Sequence, residues 1–522
     1  MTTALSARLD RAIAGLARAY PGPGGAAAVL KDGEVLARHA WGYANAERRI
    51  DFTPKTLFRM CSITKQFTCA LVLDAFADPS ELDADVAARL PKLEQPAPGV
   101  LHLCHNQSGL RDYWAVAMLH GSPAEAFFGD EETAQVISGT RTLQFAPGTR
   151  FSYVNQNFRI LSDVLQARTG RSFAELLRTR IFDRVGMGSA FLAADTRAMP
   201  DGTEGYEPMA LGGFRAAENR ILWTGDAGLG ASLDDMIAWE RWIDASRDDP
   251  DSLYGRMSAP VTFNDGAVAG YGFGLGRGKV LGRQSVGHGG ALRGWRSHRV
   301  YLPAERLSVV VMLNHLAHAH EAAEDLLAAV LDETRVKPVA DRPTPEWLGA
   351  YVERETGLSV RIDAGPAGKV RLRYGHGPVL LDLDEDGGAG DGPVLKQGED
   401  GLRLTLSGDN QTSLLEARPG SPSLDVAGRY HCAELDAEVT VVDAGGVLYG
   451  GFSGFLGLGR MELLEPIGAD LWALPCPRAL DHTPPGDWTL VFQRDGAGRV
   501  ETVVVGCWLA RGLVYRRASE PA

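Results

Sequence analysis

The chain has 522 residues, 45% hydrophobic and 23% charged, with a formal net charge of −13. At ~100–200 residues per domain this length calls for about three cores, and the ordinary apolar content excludes a disordered chain. The acidic balance argues against nucleic acid and anionic membrane as partners, because both require a basic face that releases counterions.

Residues 1–20, MTTALSARLDRAIAGLARAY, space their apolar side chains at helical intervals around Arg8, Asp10 and Arg11. That pattern predicts an amphipathic helix and lacks the unbroken apolar core of a secretory leader. No other segment approaches ~18 uncharged apolar residues. The six cysteines (Cys61, Cys69, Cys104, Cys432, Cys476 and Cys507) form no CxxC motif, as expected of reduced thiols, so a cytoplasmic protein is expected. Cys61 itself reads as a small buried apolar filler.

Two strand-like runs flank Asp32-Gly33, a strong short hairpin signal. Residues 62–76 read as a helix. The stretch to about residue 250 is mostly helical, with Ser232 an N-cap three residues ahead of Asp235. From Tyr271 strands return, and EAAEDLLAAVLDET closes the region as a helix. Residues 1–335 therefore form one α+β unit, an antiparallel sheet flanked by helices with a helical subdomain between its two halves. Proline-rich residues 336–346 read as a linker.

Beyond the linker, short β runs alternate with Gly-, Asp- and Pro-rich turns. A faint repeat aligns Gly349, Tyr351 and Glu355 with Gly428, Tyr430 and Glu434, and Asp363 with Asp443 after one inserted residue. A spacing of about 80 residues fits two small antiparallel β-barrels, 347–420 and 421–522.

Three motifs carry chemistry. In FRMCSITKQF, Ser62 and Lys65 lie one helical turn apart and face the same way. A serine hydroxyl becomes a nucleophile when a base takes its proton, and a desolvated lysine can be that base. In PGTRFSYVNQN, Tyr153 can relay a proton to a leaving group, and Asn155 can donate to a substrate carbonyl. In GHGGALRGW, His288 precedes Gly289 and Gly290, whose bare backbone lets a substrate lie along the strand, with the Ala291 amide aimed at it. The cluster His315, His318, His320 and Glu321 sits at a strand-to-helix junction and is read as no metal site.

Ser-x-x-Lys, Tyr-x-Asn and His-x-Gly in this order resemble the penicillin-recognising serine hydrolases of the class C β-lactamase and D,D-peptidase kind, over roughly residues 5–335. CHNQSGLRDY (104–113) is similar to that family's His-Thr-Ser-Gly-Leu segment, and DAGLGASLDDM adds to the likeness. The resemblance implies a β-lactamase/transpeptidase-like catalytic domain and no metal or cofactor. It implies that Ser62 forms an acyl-enzyme, with Lys65 and Tyr153 sharing the acid and base work. The amides of Ser62 and Ala291 would hold the oxyanion, with Asn155 orienting the acyl side.

His288 replaces the lysine of the commoner Lys-Thr-Gly pattern, so only a weak cation is expected where a substrate carboxylate would be clamped. Members of this family that carry a two-barrel extension release N-terminal D-amino acids. The expected substrate is therefore a small peptide, amide or ester beginning with a D-residue such as D-Ala. Its ammonium needs a carboxylate, for which Asp481, in the loop PCPRALDHTPPGDW, is the candidate. The rivals are a D-Ala-D-Ala carboxypeptidase, a β-lactamase-like esterase and a non-catalytic penicillin or peptide sensor. A homodimer is left open.

Overall fold

A computed structural model describes residues 3–333, 345–375, 377–384, 387–389, 392–477 and 486–518. Helix α1 (Thr3–Ala19) leads into strands β1 (Gly24–Lys31) and β2 (Glu34–Asn45), and β3 spans Ile50–Asp51. The β1–β2 turn is Asp32-Gly33, with φ of 54° and 75°, the left-handed pair that a two-residue hairpin requires. Helix α2 covers Thr64–Ala75. Its start differs from the sequence expectation, because Ser62 belongs to a tighter 3₁₀ turn, Cys61–Ile63, ahead of the α-helix.

Helices α3 (Asn155–Thr169) and α4 (Leu233–Ser246) dominate the insert. Ser232 caps α4 by accepting from the Asp235 amide, while its own amide donates to the Asp235 carboxylate. The chain then forms β4 (Tyr271–Gly272), β5 (Leu275–Val280), β6 (Arg283–Leu292), β7 (Trp295–Leu302) and β8 (Leu307–Leu313), and ends the unit with α5 (Ala319–Leu331). The sheet order is β3-β2-β1-β8-β7-β6-β5-β4, so strands from both ends of this region meet where β1 pairs with β8.

Both faces of that sheet are covered. Ala27, Val29, Val309 and Val311 pack against α1 and α5 through Leu9, Ile13 and Leu326, whereas Ala26, Ala28, Val310 and Met312 join the core of the helical insert. The period-two alternation of side chains divides each strand between the two cores. Among the described residues, no helix is long and apolar enough to cross a membrane.

Two antiparallel sheets follow. In the first, β9 (Gly349–Glu353) pairs with the last strand, β10 (Gln411–Ala417), and eight strands close into a barrel. The second is a ten-stranded curled half-barrel in which β11 (Gly428–Cys432) pairs with its last strand, β14 (Ala510–Arg517); β12 (Ala437–Asp443) and β13 (Val500–Cys507) lie beside these two. Among the described residues, the ion pairs Arg150–Glu355 at 2.7 Å and Arg111–Glu434 at 2.9 Å tie the two sheets to the first unit.

Candidate active site

Ser62 is held by what lies behind it. Cys61 has φ of 53°, a conformation its β-carbon resists, so the turn stores strain that its neighbours must maintain. Ser297 of β7 donates its hydroxyl to the Met60 carbonyl at 3.0 Å. Gly290 of β6 packs so closely that a β-carbon there would sit 2.3 Å from the same carbonyl and 3.1 Å from Cys61 Cβ. Only glycine lets the strand approach the turn that carries Ser62. Cys61 is buried, as are the other five cysteines, all of them free thiols.

Lys65 is fully buried. Its Nζ lies 3.0 Å from Ser62 Oγ, 2.8 Å from Asn155 Oδ1 and 2.8 Å from the Asp226 carbonyl. Three acceptors match the three hydrogens of an ammonium; as a neutral amine the same nitrogen would accept from Ser62. The Tyr153 ring lies beneath this nitrogen, 4.9 Å from centroid to Nζ.

The CHNQSGLRDY segment positions Tyr153 and Asn155. The Asn106 carbonyl accepts from the Ser152 amide at 3.0 Å, and its side-chain oxygen accepts from the Val154 amide at 3.3 Å and from Asn157 Nδ2 at 3.0 Å. The Asp112 carboxylate accepts from the amides of Asn155 and Trp114. Burial pushes its carboxyl up to about 6 and raises that of Asp226, which accepts from the Tyr113 hydroxyl.

His288 corrects one expectation. Burial, reinforced by the nearby Lys65, lowers its pKa to about 3, so the imidazole is neutral and offers no weak cation. Its Nδ1 faces the Gly289 carbonyl, which only accepts, and therefore carries the hydrogen; Nε2 is left to accept from the Tyr271 hydroxyl at 3.1 Å.

Ser62, Tyr153, Asn155, His288, Gly290 and Ala291 line one cavity of about 470 Å³. Trp114, Trp223, Trp508 and Leu509 make much of its apolar wall. No carboxylate lines it among the described residues. Asp481, the expected partner of a substrate ammonium, lies outside the described residues. His318 and His320 also line the cavity and His315 is buried. Among the described residues, no group of three or more His, Cys, Asp or Glu side chains is arranged to hold a metal ion.

Sequence reasoning missed the tryptophan wall. The signal for Trp508 was GCWLARG, a bulky aromatic where a tight turn between two β runs usually takes Gly, Asn or Asp. Asp112 and Asp226 sit inside quoted motifs, but their burial became visible only once the helices were packed.

Residues 9–332 match the family described as Beta-lactamase, and residues 340–516 match D-aminopeptidase, domain B. A D-aminopeptidase of Gluconobacter oxydans (strain 621H) is 62% identical, over 99% of this chain and 100% of its own. Another, from Brucella canis, is 45% identical over 95% of this chain and 96% of its own. Among solved structures, the octameric penicillin-binding protein homologue from Pyrococcus abyssi superposes with a TM-score of 0.53 at 20% identity, over 88% of this chain and 99% of its own, a likeness of fold.

Proposed function

The chain belongs to the D-aminopeptidase family, built on a β-lactamase-like domain, and from that premise we propose how its site releases an N-terminal D-amino acid, D-alanine by preference, from amides, esters and short peptides. One observation carries the mechanism: Lys65 Nζ stands 3.0 Å from Ser62 Oγ inside a cavity that Tyr153, Asn155 and the β6 edge also line.

In the proposed reaction the Ser62 proton passes to the Lys65–Tyr153 pair as Oγ bonds to the substrate carbonyl carbon. The amides of Ser62 and Ala291 stabilise the resulting oxyanion, and Asn155 orients the acyl residue. The carbon–nitrogen bond then breaks as the leaving nitrogen takes a proton through Tyr153. Water repeats the sequence on the ester, returning the proton to Ser62 and releasing the D-amino acid. The first transfer is assigned to Lys65, whose Nζ lies within hydrogen-bond reach of Ser62 Oγ, and the protonation of the leaving group to Tyr153.

The neutral His288 supports an aminopeptidase over a carboxypeptidase, since it offers no charge to a C-terminal carboxylate. Asp481 remains our candidate for the substrate ammonium. Further parts of the proposal are domain limits near residues 335, 347 and 421, a cytoplasmic location, for which six free thiols speak, and a homodimer. Val442, Tyr449 and Leu463 are register partners on three adjoining strands and all exposed, an apolar row suited to a second copy.

Turnover of D- and L-alanine p-nitroanilide by the parent and by Ser62→Ala tests the reading. Cleavage of the D form alone, falling by about 10⁴-fold or more in the variant, is expected. Equal cleavage of both enantiomers, or an active variant, would sink it.

A further inference from the structure

Trp508 sits in the two-residue turn between β13 and β14 of the second tail sheet, far in sequence from every motif of the site. Its indole nevertheless stacks on the Tyr153 ring, with centroids 5.9 Å apart and planes 9° from parallel. The turn that delivers it is fastened to the catalytic unit. The Asp112 amide donates to the Leu509 carbonyl at 2.9 Å, and Arg111 Nε donates to the Arg511 carbonyl at 2.9 Å. The Asp112 carboxylate also receives the Asn155 amide, so one residue fixes both the turn bearing Trp508 and the segment bearing Tyr153.

The first barrel also comes close to the same ring. Gly375 has φ of 69°, and a β-carbon there would come within 3.2 Å of Trp508 Cδ1. Trp508 also forms part of the wall of a second cavity, of about 600 Å³, which Arg361, Arg371 and Arg373 line. Three structural units therefore meet at one indole, and that indole rests on the residue read as the proton relay.

We propose that Trp508 is a positioning residue, which holds the Tyr153 ring so that its hydroxyl keeps reach of the leaving group. The proposal rests on the acyl-enzyme reading above, with Lys65 taking the Ser62 proton and Tyr153 protonating the leaving group. A phenol ring can tilt and slide unless both its faces are restrained, and a displacement of about 1 Å at a reacting group costs roughly 100-fold in rate. Stacking at this offset restrains the tilt without occupying the hydroxyl.

The dependence on leaving group separates positioning from general damage. Ammonia leaves an amide only with a proton delivered to it, whereas nitrophenolate leaves an ester without one. In the full-length protein, Trp508→Ala is expected to lower kcat/KM for D-alaninamide about 10- to 100-fold, while that for D-alanine p-nitrophenyl ester stays within about threefold. Trp508→Phe, which restores a stacking ring, should recover most of the amide activity. Gly375→Ala, pressing on the indole from the barrel, should show the same amide-selective loss in smaller degree. Equal losses on amide and ester, or an unchanged amide rate, would overturn the assignment. A parent enzyme without Ser62-dependent turnover would instead refute the reading on which the proposal rests.

Discussion

At the scale of the single residue, desolvation sets the charge that the site presents. Where commoner relatives are expected to present a lysine, His288 is half-buried, neutral and fixed in one tautomer by Gly289 and Tyr271. His105 shows the thermodynamic side of such burial. It packs edge-on against Phe273, with ring centroids 4.6 Å apart, and burial lowers its pKa from 6.5 to about 3. The unfolded chain takes up a proton there below pH 6.5, whereas the folded chain resists until about pH 3. The stability associated with neutral His105 is therefore complete above 6.5 and is lost as the pH falls through this window. Replacing it with phenylalanine should remove about 2 kcal/mol of acid sensitivity near pH 5. Denaturant titrations at pH 5 and 7.5 check this. The variant should gain on the parent at the lower pH, and an equal difference at both would contradict the cause.

At the scale of elements, the site is a meeting of one turn, one strand and one loop. Strand β6 approaches the Cys61–Ile63 turn over Gly290, and Ser297 on β7 ties the same turn from behind. Gly290→Ala should therefore destabilise the protein by about 1–3 kcal/mol, as overpacking does, and also lower kcat/KM by moving β6 off the nucleophile. Thermal unfolding and D-alaninamide turnover read the two effects. A variant as stable and active as the parent would mean that the strand has room. The sequence announced these elements well, because hairpin, cap and period-two signals at Asp32-Gly33, Ser232 and β5–β8 are local. It placed Ser62 in the α-helix and missed the strained turn, because the left-handed φ of Cys61 is imposed by packing against β6 and β7. The charge of His288 escaped for the same reason, since its desolvation comes from residues distant in sequence.

Across the whole molecule, the faint repeat acquires a physical meaning. Tyr351 and Tyr430 each donate a hydroxyl to the carbonyl four residues earlier, of Trp347 and Val426. Glu355 and Glu434 each reach an arginine of the catalytic unit. The repeated positions are thus fold-closing and docking positions, and the two tail sheets are anchored in parallel ways. Of the two contacts Arg111–Glu434 is the better buried, and Thr142 donates a second bond to the same carboxylate. Glu434→Ala should cost about 2 kcal/mol and loosen the Trp508 turn, because Arg111 also binds Arg511. Loss of D-alaninamide activity beyond the stability change is expected in denaturation and rate assays; full activity would show that docking does not reach the site. One feature of this scale was not legible: the repeat gives the spacing of the tail sheets without revealing that a turn of the second enters the cavity. In the proposed mechanism Ser62, activated by Lys65, carries the D-amino acid as an ester. Acid-quenched digestion and mass mapping during turnover of D-alanine p-nitrophenyl ester tests it most directly. One alanyl group on the peptide containing Ser62, absent from Ser62→Ala, is the predicted result; turnover with no adduct there, or an adduct on another residue, would contradict it.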